Sequence, residues 1–122
     1  MSFRNIHAHG LLRLACAAPR LKVADPASNL AETVPLFRQA DERGASIVLF
    51  PELGLSAYAI DDLLLQSALL DAVLTALAEL VEESRNLRAV AVVGAPLRVG
   101  GRLFNCAIAI HRGQILAVVP KT

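Results

Sequence analysis

A chain of 122 residues, 55% of them hydrophobic, is the size of one globular domain and can bury about two-thirds of its unfolded surface. Twelve basic and eleven acidic residues nearly cancel and neither sign forms a block, which excludes the electrostatic footprint of a nucleic-acid groove or an anionic membrane surface. A small neutral or zwitterionic partner fits this balance, and two cysteines inside apolar runs, Cys16 and Cys106, suit a reducing compartment, with the cytoplasm expected.

The opening MSFRNIHAHG has no apolar stretch after a basic start and no cleavage site at the right distance, so no export signal is expected. His7 and His9 are two ligands without a third nearby, short of a metal site. The run LLRLACAA at 11–18 reads as a short buried strand stopped by Pro19. DPASNLAETVPLFRQADERG follows with Asp25 as cap, proline at the first helical position and Gly44 as the stop. Pro35 is expected to kink that helix or to begin a second part of it. SIVLF is then a five-residue strand run, and the loop at 51–60 leads to a helix from about 61 to 84.

Residues 63–81 are apolar enough to raise the membrane question. They carry Gln66, Asp71 and Glu79, and an aspartate near mid-span costs about 2.5 to 3.5 kcal/mol on insertion, so a soluble helix is the reading. Asp61 and Asp62 are expected to cap it. AVAVVGAPLRV, RLFNCAIAIHR and QILAVVPK come next as three strands, with turns at Gly100-Gly101 and Arg112-Gly113. GAPLRVGG matches no phosphate-binding fingerprint because no helix start follows it, and His111, just before a turn, is expected to face solvent.

Two strand-helix-strand units followed by two hairpins predict an α/β chain with a mixed sheet, parallel first and antiparallel later, with both helices on one face. IVLF and AVAVV are apolar at nearly every position, so the opposite face must also be covered. Nothing remains in the chain to cover it, and the sequence stops at VVPKT directly after a hydrophobic strand. The expectation is a part of a longer protein.

Glu52 follows the end of a central strand, the edge at which open α/β sheets bind ligands. Pro51 has no N–H and ends the ladder, so the carboxylate projects at the lip of the sheet. An ordinary acid capping a strand-end loop satisfies the same pattern. Lys121 stands in a matching position, just past the proline that ends the last strand. If FPE and VPK end side by side, they bring a carboxylate and an ammonium together. Acyl transfer uses such a pair, a base to activate a thiol and a cation to steady the tetrahedral intermediate; a salt bridge or a solvated lysine is the plainer alternative.

LFPELGLSAY and GQILAVVPKT, separated by VVGAPLR and NCAIAIHRG, resemble the nitrilase, or carbon–nitrogen hydrolase, superfamily along the whole chain. HGLLRLACAAP, AIDDLLLQ and LFNCAIAIHRGQILAVVPKT are most similar to the glutaminase domains of glutamine-dependent NAD synthetases. The resemblance implies a four-layer αββα sandwich, incomplete here, and cleavage of amide C–N bonds by a Glu, Lys and Cys triad. It makes Glu52 the general base and Lys121 the oxyanion stabiliser. It brings Tyr58 to the mouth of the substrate site, although a buried loop anchor would also explain that ring.

The same resemblance implies glutamine as the substrate, no cofactor in this segment, and ATP and Mg²⁺ in a synthetase domain outside it. It also implies homo-oligomers paired through their sandwiches. Another amidase acting on a small amide, or a non-catalytic scaffold, is the alternative. Two departures stand out. Ala57 occupies a position where many members have glycine, which costs more if the backbone there needs a positive φ. The resemblance implies a cysteine nucleophile that follows the lysine on a later strand-to-helix elbow and is therefore expected beyond Thr122; Cys16 and Cys106 lie in strand runs, where a thiol behaves as a small buried hydrophobe, and do not replace it.

Overall fold

The computed structural model describes residues 3–57 and 67–122. Five strands form one sheet in sequence order: β1 (Leu14–Cys16), β2 (Ile47–Leu49), β3 (Val90–Val99), β4 (Arg102–His111) and β5 (Gln114–Pro120). β1, β2 and β3 are parallel, whereas β3–β4 and β4–β5 are antiparallel hairpins. The hairpins turn at Gly100-Gly101 and Arg112-Gly113, all four with positive φ. β5 therefore runs the same way as β2, and their C-terminal ends lie along one edge.

Helix α1 (Pro26–Glu42) starts where Asp25 accepts a hydrogen bond from Ser28 N at 3.0 Å, with Pro26 at the first turn. It ends at Gly44, whose left-handed φ of 77° lets the chain reverse into β2. Pro35 lies inside one continuous helix and does not begin a second part of it. The buried Asp41 ties the end of α1 to the start of β3 by accepting from Arg88 N and Ala89 N, both at 2.8 Å. Helix α2 (Ser67–Glu83) buries Leu69, Leu70, Val73, Ala76, Leu77 and Leu80, the helical spacing of a one-sided stripe. The expected caps Asp61 and Asp62 lie outside the described residues.

Both helices pack on one sheet face. Val48, Ala91, Val93, Ile108 and Ile110 form one core with Phe37 and the α2 stripe. The other face, where period-two alternation puts Leu14, Cys16, Ile47, Leu49, Ala107 and Val119, is exposed, with Leu14 at 67% and Val119 at 58%. This corrects two expectations at 11–18. The strand there is only three residues long and its outward residues are exposed. Cys16 is exposed rather than a buried hydrophobe, because an apolar run does not reveal which face has a covering layer. Among the described residues no helix is long and apolar enough to cross a membrane.

Candidate active site

Glu52 and Lys121 meet at the C-terminal edge of the sheet: Lys121 Nζ donates to Glu52 Oε1 at 2.7 Å across 69 positions of sequence. β2 and β5 are three strand spacings apart, about 14 Å, so strand ends alone do not bring these groups together. The loop after β2 does. Residues 51–53 cross over β3 at Gly94, where a Cβ would stand 2.3 Å from Leu53 N and 2.7 Å from Pro51 O. Only glycine permits that approach. Phe50 N donates to Val92 O at 2.9 Å and Leu55 N to Gly94 O at 3.1 Å, fastening the loop to β3 on both sides of the crossing.

The loop is held from behind by the fully buried Asn29 of α1. Its amide donates to Lys22 O at 2.9 Å and to Leu55 O at 3.1 Å, while its oxygen accepts from Lys22 N at 2.7 Å. Two loop residues take left-handed backbone without being glycine, Leu53 with φ 52° and Ala57 with φ 64°. The departure at Ala57 thus falls at a position where alanine is strained relative to glycine. Tyr58 lies outside the described residues.

Asn105 of β4 completes the cluster and was given no role by sequence reasoning. Its amide Nδ2 donates to Glu52 Oε1 at 2.6 Å, and its backbone carbonyl accepts from Lys121 N at 2.8 Å. The available signal was an amide in a strand of mostly apolar residues, in register to share a face with Ala107 and Ala109. The hydrogen bond from Lys121, then that from Asn105, holds the Glu52 carboxyl below its ordinary 4.5, against desolvation acting upward and with the Lys121 charge adding to the fall. Glu52 is therefore an ionised carboxylate at neutral pH, beside a cation, able to accept a proton or share an anionic substrate's surroundings with Lys121.

A cavity of about 370 Å³ opens here on the uncovered face, lined by Leu49, Val92, Gly94 and Ala107 beside Glu52, Asn105 and Lys121. Cys106 also borders it, but burial pushes that thiol up from 9.0, the opposite of an activated nucleophile. His7 and His9 lie in a 3-10 turn where His9 Nε2 contacts Phe3 O at 2.7 Å. His111 is half-buried rather than turned to solvent, with Nε2 3.2 Å from Arg88 O. No group of three or more His, Cys, Asp or Glu among the described residues could hold a metal ion.

A carboxylate and a lysine held together at one edge of a mixed sheet agree with the family match: residues 13–121 fit the carbon–nitrogen hydrolase model, and the chain belongs to that family. Within it, the whole chain is 48% identical to 18% of the glutamine-dependent NAD(+) synthetase of Mycobacterium tuberculosis. Its fold matches the crystal structure of the glutamine-dependent NAD(+) synthetase from Cytophaga hutchinsonii with a TM-score of 0.84 at 21% identity, over 91% of this chain and 19% of that one. It also matches an amidase of the nitrilase superfamily from Nesterenkonia AN1 with a TM-score of 0.77 at 24% identity, over 90% of this chain and 42% of that one. The fold is thus part of a nitrilase-type α/β architecture, and the chain spans about a fifth of the length of the curated relatives it matches.

Proposed function

We propose that these residues form the N-terminal portion of a nitrilase-type glutamine amidohydrolase domain within a glutamine-dependent NAD synthetase. The observation that carries this reading is the 2.7 Å contact between Glu52 and Lys121 in a chain 48% identical to such a synthetase. Glu52 is the general base and Lys121 the oxyanion stabiliser. The nucleophile is a cysteine of the parent protein outside residues 1–122, and Tyr58 borders the substrate.

The reaction divides between these groups. The thiolate adds to the amide carbon of glutamine as Glu52 takes the thiol proton, and the Lys121 ammonium offsets the charge that develops on the amide oxygen. Glu52, now protonated, gives its proton to the departing nitrogen, which leaves as ammonia. Water then attacks the thioester with Glu52 again as base, releasing glutamate and the thiol. A base held below 4.5 is weak for this task. Covering the open cavity with the rest of the domain desolvates the carboxylate and raises its pKa toward the working range.

The ammonia serves to amidate nicotinic acid adenine dinucleotide in a separate synthetase domain, to which ATP and Mg²⁺ belong. The parent is assigned to the cytoplasm as a homo-oligomer. Isotope tracing tests the assignment. With glutamine labelled with ¹⁵N at the amide, ATP, Mg²⁺ and nicotinic acid adenine dinucleotide, the full-length parent should place the label in the product's carboxamide. Hydrolysis of small aliphatic amides without label transfer would instead make it a stand-alone amidase.

A further inference from the structure

The most polar feature of the site that the base and the cation do not account for is Asn105. We propose that Asn105 is a positioning residue for the carboxylate base: with Lys121 it fixes one oxygen of Glu52 and turns the other out to receive the proton. The inference rests on the assignment of Glu52 as base.

Asn105 Nδ2 and Lys121 Nζ donate to the same oxygen, Oε1, at 2.6 and 2.7 Å. A carboxylate oxygen has two lone-pair directions, so both are taken. No described residue donates to Oε2, which keeps its proton-accepting capacity. A carboxylate only accepts, so the amide must present its nitrogen rather than its oxygen, and the donor is fixed by chemistry. Glu52 is a long, exposed side chain at a loop tip; left alone it would spread over rotamers.

Asn105 restrains it from a rigid strand, and through its backbone carbonyl it also holds the start of the segment that carries the cation, Lys121 N, at 2.8 Å. One residue thus sets base and cation in a common frame. Asparagine is a poor strand former, and Asn105 interrupts the otherwise apolar run from Leu103 to Ile110, so strand stability does not explain it. Its register on the uncovered face, shared with Ala107 and Ala109, aims the amide at the cavity.

The test uses the full-length parent carrying Asn105→Ala or Asn105→Asp, with turnover followed across pH on glutamine and, separately, on free ammonia. Aspartate keeps the shape but replaces the donor with a carboxylate. Asn105→Ala should lower kcat/KM for glutamine roughly 10- to 100-fold and move the acid limb of its pH profile upward, because a hydrogen bond to the ionised base is lost. Asn105→Asp should move that limb further, since a like charge then faces Glu52. Ammonia-dependent turnover should stay at the parent level in both. An unmoved acid limb with kcat/KM within twofold of the parent overturns the proposal, as does parallel loss of both activities, which marks Asn105 as merely structural. Glu52→Gln run alongside separates the two readings: collapse on glutamine keeps the base and isolates any failure to Asn105, whereas retained turnover removes the base assignment itself.

Discussion

Replacing Gly94 by alanine tests the crossing that carries Glu52 from β2 toward β5. The added Cβ would meet Leu53 N at 2.3 Å, Pro51 O at 2.7 Å and Glu52 C at 2.9 Å. All three are backbone atoms, so no side chain can rotate away. Ordinary contact begins near 3.4 Å, and restoring it pushes residues 51–53 off β3 by about 1 Å, a displacement that costs a positioned catalytic group on the order of 100-fold in rate. The hydrogen bond from Leu55 N to Gly94 O, 3.1 Å, opens with the same movement, and overpacking of this kind destabilises by about 1–3 kcal/mol. The assay is glutamine-dependent against ammonia-dependent turnover of the full-length parent, with thermal melting of the same samples. Glutamine-dependent turnover should fall about 100-fold, ammonia-dependent turnover should persist, and the melting temperature should drop. Glutamine-dependent turnover within twofold of the parent would refute the role of this crossing.

Asn29→Ala removes three hydrogen bonds of a fully buried amide, and denaturant unfolding should show a loss of about 2–4 kcal/mol together with reduced glutamine turnover. Ala57→Gly relieves a φ of 64°, and should be neutral or stabilising by up to about 1 kcal/mol in the same measurement. Lys121→Met should abolish glutamine turnover of the full-length parent, while in residues 1–122 alone it should change the melting temperature little, since both members of its ion pair are exposed there. The folded pKa of Glu52 is depressed, so the stability its pair adds is present above the ordinary carboxylate value and is lost only as pH falls through the lower folded value. Melting curves of residues 1–122 with Lys121 and with Lys121→Met should therefore converge in acid. Residues 1–122 alone should hydrolyse no glutamine, and their open apolar face should drive self-association in sedimentation.

The strands, the hairpins and the cap at Asp25 were legible because local chemistry writes them: a glycine at each tight turn, an acid before a proline, apolar runs of strand length. The pairing of Glu52 with Lys121 was reachable from two proline-terminated strands ending in opposite charges. What made the pairing possible was less visible. Gly94 reads as one glycine in a strand, and only the loop crossing above it shows why a side chain is forbidden there. Asn105 finds its partner 53 positions away, a distance that no local period encodes. Cys16 and its neighbours were misjudged for a related reason. Hydrophobicity records a preference for burial, and whether a face is covered depends on layers that the strand itself does not specify.

The proposed chemistry turns on one carboxylate. Glu52→Gln keeps the shape and both neighbours but removes the base, so the full-length parent should lose glutamine-dependent synthesis by several orders of magnitude while synthesis from free ammonia continues at the parent rate. Equal loss with both nitrogen sources, or undiminished turnover on glutamine, would contradict the assignment of this sheet edge as the amide-hydrolysing site.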